Sequence, residues 1–260
     1  MKTRTFVIVM ALALAVAACG FVLAGCGQAA SSQSAAASSS ANASASGASA
    51  GNGAGATGGS GIAATGTGAG SGVTSEATGP YASGVHHARL TVEGYDPITI
   101  ELNADAAPVS VANFCALAGE GYYNGLTFYR FVEGFCMQGG TLGNTASGAD
   151  SSLKPIVGEF SGNGRSNALA DDFKRGTVAM ARTNAPNSAT STFFVTLDTS
   201  SSVSASLNGQ YAAFGTIDEA GMAIVDAIVA DHLPAVTDTR MGVISDESKQ
   251  AKIASLEIVD

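Results

Sequence analysis

The sequence is poor in positive charge. It has 12 Lys and Arg residues against 21 Asp and Glu residues, which gives a formal net charge of −9. Proteins that bind nucleic acid carry a basic patch or stripe that neutralises the phosphates. The composition therefore argues against a nucleic-acid partner.

Aromatic residues are missing from a long stretch near the N-terminus. Beyond the first 25 residues, every Phe and Tyr lies within residues 81–214, and residues 27–80 are almost entirely Ala, Gly, Ser and Thr. Burial of such small side chains cannot offset the backbone entropy that is lost on folding. We therefore predict a disordered tether over residues 26–80 and one domain of ordinary size over residues 81–260.

Long apolar runs are also scarce, and the longest lies at the start of the chain. Lys2 and Arg4 precede an apolar run that extends to Ala24 and is followed by Gly25 and Cys26. A basic start, an apolar run and small residues are typical of a secretory signal peptide. The sequence Leu-Ala-Gly-Cys at its end resembles the bacterial lipobox, in which a peptidase cuts before an acylated cysteine.

This layout predicts that residues 1–25 are a signal peptide and that Cys26 is the lipidation site. An uncleaved membrane helix is the alternative, because about 20 apolar residues can span a bilayer. Residues 223–230 form a second apolar stretch, which is too short to span. We expect an exported domain, anchored by lipid to the outer face of a bacterial cytoplasmic membrane.

The periodicity of residues 81–260 indicates a mainly β domain. Two helices are expected over 109–118 and 222–230, the first between Pro108 and Gly119. Short strands separated by Gly, Asn and Asp predict an antiparallel sheet, either a barrel or a sandwich. The predicted strands cover residues 88–93, 98–102, 126–132, 177–180, 193–197, 212–217 and 252–258.

Three sequence blocks are more specific than these patterns. Residues 128–140 fit Phe-x-Arg-x-x-x-x-Phe-x-x-Gln-Gly-Gly, residues 180–194 begin Met-Ala-Arg-Thr and end Phe-Phe, and residues 207–215 read Leu-Asn-Gly-Gln-Tyr-Ala-Ala-Phe-Gly. In order and approximate spacing, the blocks resemble those of the cyclophilin-type peptidyl-prolyl isomerases. The resemblance covers about residues 86–258.

The resemblance implies a closed eight-stranded antiparallel β-barrel capped by two α-helices, with a peptide groove on its outer face. Only seven strands are predicted from the periodicity, and we expect the eighth near residues 156–160.

The implied reaction is rotation about an X-Pro peptide bond, which exchanges within tens to hundreds of seconds when uncatalysed. Amide resonance is lost at the twisted transition state, so a fixed cationic donor beside the proline nitrogen favours that state over both planar states. Arg130 matches the family's catalytic arginine, and its guanidinium stays protonated. Phe135 and Gln138 match the residues that complete the catalytic group.

The same comparison assigns further residues to substrate binding. Phe194 and Leu207 are expected to line an apolar slot for the proline ring, together with Phe135 and Cys136. The complete set of expected substrate-binding residues is Cys136, Ala181, Arg182, Thr192, Phe194, Leu207 and Tyr211.

Some positions depart from the family's usual residues. Cys136 stands where many members have methionine, and Thr192 where a glutamine is usual. The chain has no tryptophan, and Ser206 occupies the groove position where eukaryotic members often have one. Tyr211 stands where eukaryotic members often have histidine; tyrosine there resembles bacterial members and keeps an aromatic wall.

Neither a metal nor a cofactor is expected. His86 and His87 have no accompanying ligand pattern, so a surface pair is the simpler interpretation. Cys115 and Cys136 could pair in an exported domain, but nothing in the sequence brings their Cα atoms within about 7 Å, so free thiols are the favoured interpretation. We expect a monomer that acts on proline-containing polypeptides; the alternative is a non-catalytic chaperone or docking module that binds proline peptides in the same groove.

Overall fold

The fold is a closed barrel of antiparallel strands in a computed structural model that describes residues 72–260 except Ala149 and Thr199. The predicted signal peptide, Cys26 and most of the predicted tether lie outside the described residues. Around the barrel the strands follow the order β1-β2-β7-β5-β6-β4-β3-β8. They are β1 (Val85–Val92), β2 (Ile98–Asn103), β3 (Thr127–Val132), β4 (Cys136–Gly139), β5 (Thr177–Met180), β6 (Phe193–Thr196), β7 (Ala213–Thr216) and β8 (Ala251–Ile258).

This architecture confirms the predicted eight-stranded barrel. The seven strands predicted from periodicity are all present, with ends that differ by at most three residues, and 177–180 is reproduced without change. The eighth strand is β4, and not residues 156–160 as we expected.

Residues 156–160 are an irregular segment with a different task. Ile156 forms only isolated bridges, to Thr74 and Ala189. The buried carboxylate of Glu159 accepts hydrogen bonds from the backbone N–H groups of Val109 and Ser110, at 2.9 and 2.8 Å. These donors belong to the first turn of a helix, where N–H groups lack intrahelical partners. The segment therefore caps the N-terminus of a helix.

That helix is α1 (Pro108–Gly119), and the described residues contain two more, α2 (Ser201–Leu207) and α3 (Glu219–His232). The expectation of two helices missed α2, a segment of seven residues of which four are Ser. α1 packs against β2, β7 and β8, and α3 packs against β2. The Asp218 side chain caps α3 by accepting from the backbone N–H of Gly221 at 2.8 Å.

The barrel core follows from the alternation of side chains along the strands. In β2, the side chains of Ile98, Ile100 and Leu102 are fully buried while the residues between them are exposed. α1 adds the ring of Phe114, whose centroid lies 5.4 Å from that of Phe193 and 4.9 Å from that of Phe214.

The last residues of the segment predicted as tether contact this barrel. The Thr74 N–H donates to the Pro155 carbonyl, and the Val157 N–H donates to the Thr74 carbonyl, both at 2.8 Å. The docked chain therefore begins at least seven residues earlier than the predicted boundary at residue 81. No helix among the described residues is long and apolar enough to cross a membrane.

Candidate active site

Three adjacent strands place the main site residues side by side. Across the β3–β4 pair Arg130 lies opposite Gln138, and across the β4–β6 pair Gln138 lies opposite Phe194. Gly139 lets β3 and β4 approach closely, because a Cβ atom there would lie 2.3 Å from the Thr127 carbonyl oxygen. Larger residues at 139 are therefore excluded by sterics, which explains one glycine of the Gln-Gly-Gly sequence.

The Arg130 guanidinium is held from two sides. Its Nε donates to the Met241 carbonyl at 2.8 Å, and its Nη1 donates to Gln138 Oε1 at 2.9 Å. Nη1 also lies 3.3 Å from the Cys136 sulfur. Within the part of the chain that the structure describes, Nη2 makes no hydrogen bond to the protein. The arginine is thus fixed while one nitrogen keeps its donors.

A cavity of about 250 Å³ opens beside this guanidinium. Its walls are largely apolar, with the ring of Phe194 edge-on to that of Tyr211 at a centroid distance of 5.6 Å. The guanidinium carbon lies 5.7 Å from the centroid of the Phe135 ring. The lining residues are Arg130, Phe135, Cys136, Gln138, Ala146, Ala181, Arg182, Phe194, Leu207, Tyr211 and Met241.

The predicted catalytic and substrate-binding residues line this cavity, with one exception. Thr192 lies instead in a neighbouring cavity of about 240 Å³, to which Gln138, Ala181 and Arg182 also contribute. The Thr192 carbonyl accepts from the Ala181 N–H at 2.8 Å. This bond joins Thr192 to Ala181, which lines both cavities.

Arg182 supports one wall of the cavity beside Arg130. Its guanidinium carbon lies 4.8 Å from the centroid of Tyr211 and 5.1 Å from that of Phe160. Its Nε donates to the Gln210 carbonyl at 2.8 Å. Stacking between two aromatic rings suits a planar guanidinium, so Arg182 fixes the orientation of Tyr211.

Comparisons with known proteins identify the family of this chain. The family model described as cyclophilin type peptidyl-prolyl cis-trans isomerase/CLD matches residues 87–257. The chain belongs to the cyclophilin-type peptidyl-prolyl isomerase family. Its reaction class is peptidyl-prolyl cis-trans isomerisation, EC 5.2.1.8.

Individual relatives are named peptidyl-prolyl cis-trans isomerases. A peptidyl-prolyl cis-trans isomerase of Acinetobacter baylyi is 37% identical over 163 residues, which cover 62% of this chain and 79% of the relative. One from Streptomyces antibioticus is 42% identical over 135 residues, which cover 50% of this chain and 76% of the relative.

The barrel also resembles solved cyclophilin structures. A Cryptosporidium parvum cyclophilin-type isomerase, crystallised in the presence of the dipeptide Ala-Pro, superposes with a TM-score of 0.53 at 24% identity. The match covers 67% of this chain and 99% of that chain. At this identity the likeness concerns the fold.

Among the described residues, Cys115 and Cys136 are free thiols, the interpretation favoured from the sequence, and both are buried. Burial raises the pKa of Cys136 to about 11, although the positive charge of Arg130 acts in the opposite direction. Burial also raises the pKa of Cys115 to about 12, and the charge of Asp260 adds to this rise. Both groups are therefore neutral thiols near neutral pH, and Cys136 lines the cavity beside Arg130 as a small apolar side chain.

The histidine pair of this cyclophilin faces a carboxylate. His86 and His87 both contact Asp260, and the side chain of His86 is only 16% exposed. Among the described residues there is no cluster of three His, Cys, Asp or Glu side chains that could hold a metal ion.

Among the residues around the two cavities that were not predicted from the sequence, three contact the predicted site residues or line both cavities. Met241 supplies its carbonyl to Arg130, Ala146 lines both cavities, and Tyr129 accepts a hydrogen bond from Gln138 Nε2 at 2.8 Å. Met241 and Ala146 lie on loops outside the motif block, so no local pattern indicates them. The position of Tyr129 next to Arg130 is the only signal that could have suggested its role.

Proposed function

We propose that the cavity beside Arg130 binds the proline of a polypeptide and that Arg130 stabilises the twisted X-Pro amide. The observation that carries this proposal is the fixed guanidinium at the edge of an apolar cavity. A rigid donor needs no reorganisation when charge develops at the transition state.

The apolar residues would hold the proline ring by burial. Phe194 and Leu207 are 3% and 1% exposed, so their positions are set by the core as well as by the groove. A rigid slot for the ring lets the chain on one side of the bond turn while the proline stays in place. The relative crystallised with Ala-Pro supports a proline-containing ligand.

Arg130 would then act at the proline nitrogen. Rotation removes amide resonance, which leaves a lone pair on that nitrogen. A donor from Nη2 can bond this lone pair, and the bond is weaker in either planar state because there the lone pair is delocalised. The interaction is therefore strongest at the transition state, as catalysis requires.

The activity is tested by following cis-to-trans exchange in a proline tetrapeptide with the full chain purified in detergent. We expect acceleration at protein concentrations far below that of the peptide. If the exchange stays at its uncatalysed rate while the peptide binds, the domain is a peptide-binding module and not an isomerase.

We also propose that the chain is exported and anchored by lipid at Cys26. The basic start, the apolar run and the lipobox-like end support this, and more than one acyl chain gives stable attachment. Metabolic labelling with a fatty acid should label the wild-type protein and fail to label Cys26→Ala. Labelling of the variant at wild-type level would refute this anchor site.

A further inference from the structure

We propose that Tyr129 is a positioning residue that orients Arg130 through the side-chain amide of Gln138. This inference rests on the proposed function, in which Arg130 is the catalytic donor. It assigns a role to the residue that precedes Arg130 on β3.

A β-bulge brings Tyr129 to this site. Phe128 pairs with Gly139 and Arg130 pairs with Gln138, so two residues of β3 oppose one residue of β4. In a regular strand, neighbouring side chains point to opposite faces, whereas a bulge redirects one of them. As a result the side chains of Tyr129 and Arg130 both reach Gln138.

The backbone of the bulge is fixed from the other side. The Tyr129 carbonyl accepts from the Ile244 N–H at 2.9 Å, and the Gly242 carbonyl accepts from the Phe131 N–H at 2.7 Å. Tyr129 is only 2% exposed. Its hydroxyl therefore has little freedom to leave Gln138.

The chemistry of the three groups defines how the amide is turned. A guanidinium has only donors, so Gln138 must present Oε1 to Arg130, and this contact measures 2.9 Å. Gln138 Nε2 then points to Tyr129, whose hydroxyl oxygen accepts at 2.8 Å. A flipped amide would direct its NH₂ group at the guanidinium and lose the bond to Arg130. The donor-only guanidinium thus sets the orientation of the amide, and the hydroxyl of Tyr129 holds the amide in place by accepting from Nε2.

The phenol keeps its proton in this role. Burial raises the pKa of Tyr129, although the hydrogen bond from Gln138 and the charge of Arg130 both act to lower it. Because the oxygen accepts from Gln138, the O–H of Tyr129 is free to point elsewhere, and the residue also lines the second cavity. The hydrogen bond between Gln138 and Tyr129, and with it the orientation of Arg130, should accordingly not vary with pH near neutrality.

The test is a double-mutant cycle in the full chain, with Tyr129→Phe, Gln138→Ala and the double variant, measured on a proline tetrapeptide. Tyr129→Phe keeps the ring and should lower kcat by about fivefold to tenfold, as expected for one lost hydrogen bond. KM should change by less than about twofold, because the apolar cavity is intact. In the Gln138→Ala background, Tyr129→Phe should lower kcat by less than about twofold, because the amide that transmits its effect is already missing.

Tyr123→Phe is the matched control. Tyr123 is also fully buried, and its hydroxyl donates to the Ser191 carbonyl at 3.1 Å, away from the groove. Both Tyr-to-Phe variants remove one buried hydrogen bond, so their melting temperatures should fall to a similar extent. Rates are divided by the folded fraction from circular dichroism, so that a loss of stability does not count as a loss of activity.

Two results would overturn the inference: a wild-type kcat for Tyr129→Phe, or a full, multiplicative loss in the double variant. Arg130→Ala is measured in the same series to separate this inference from the proposed function. If Arg130→Ala is as active as wild type, the proposed function fails. If Arg130→Ala is impaired and Tyr129→Phe is not, only the role of Tyr129 fails.

Discussion

Arg130 and Gln138 face each other across β3 and β4, with Nη1 of the arginine 2.9 Å from Oε1 of the glutamine. Both residues belong to strands of a closed barrel, whose backbone positions are fixed by hydrogen bonds on either side. A site built on strands is held more precisely than one built on loops. This pairing is the reason why a flexible arginine side chain can act as a preorganised donor.

The close approach of β3 and β4 predicts that replacing Gly139 destabilises the barrel. In Gly139→Ala the new methyl group would meet the Thr127 carbonyl at 2.3 Å, and the strands would have to separate. We expect a loss of about 3 kcal/mol or more in the free energy of unfolding, measured by urea denaturation.

Gly134→Ala is the control for this substitution. Gly134 has a φ of +64°, and a Cβ atom added there would meet nothing within 4 Å among the described residues. The cost is therefore limited to backbone strain of about 1–2 kcal/mol. Equal destabilisation by the two substitutions would contradict the steric explanation.

The buried carboxylate of Glu159 predicts a second stability effect. Its two oxygens accept from the N–H groups of Val109 and Ser110 and from the Ser110 hydroxyl. Glu159→Gln replaces one carboxylate oxygen, which accepts hydrogen bonds, by an NH₂ group, which cannot accept from these N–H and O–H groups. We therefore expect a loss of about 2 kcal/mol in the free energy of unfolding. The exposed Glu257→Gln should change it by less than about 0.5 kcal/mol. A similar small change for Glu159→Gln would show that α1 does not depend on this cap.

The sequence was sufficient for most of the barrel because its strands are short β-rich runs bounded by turn residues, as at 177–180. It was insufficient for β4, a four-residue strand that ends in Gly139 and whose pairing depends on close contact with β3. Residues 156–160 have the composition of a strand, but they form none, because Glu159 instead binds the first turn of α1. The docking of Thr74 has no local signal either, since its partners lie about 80 residues further along the chain.

The site was predictable where a motif carries it and not where the fold brings distant groups together. Arg130, Phe135 and Gln138 lie in one block, so their proximity follows from one hairpin. The Met241 carbonyl reaches Arg130 from a loop more than 100 residues away. The role of Tyr129 depends on a bulge, and a bulge shifts the alternation on which sequence interpretation relies.

The raised pKa values of the thiols predict slow and pH-dependent alkylation. A thiolate is the reactive species, and with a pKa of about 11 the thiolate fraction of Cys136 at pH 8 is on the order of 0.1%. In the native protein, iodoacetamide should therefore modify Cys136 more than about 100-fold slower than in urea at the same pH. The native rate should rise about tenfold per pH unit until it approaches pH 11.

Mass spectrometry of the intact protein and of its peptides measures these rates. Cys115 should be modified more slowly still, because the pKa of its thiol is about 12 and its side chain is as buried as that of Cys136. Rapid modification of Cys136 at pH 8 in folded protein would contradict the assignment of a buried, neutral thiol.

The role of Arg130 is tested most directly by the catalytic efficiency of Arg130→Ala on a proline tetrapeptide, with the exposed Arg165→Ala as the matched control. We predict that Arg130→Ala lowers kcat/KM by about 100-fold or more, as for loss of a donor at the transition state. Arg165→Ala should stay within about twofold of wild type, and both variants should remain folded. A folded Arg130→Ala protein with wild-type kcat/KM would contradict the catalytic role of this arginine.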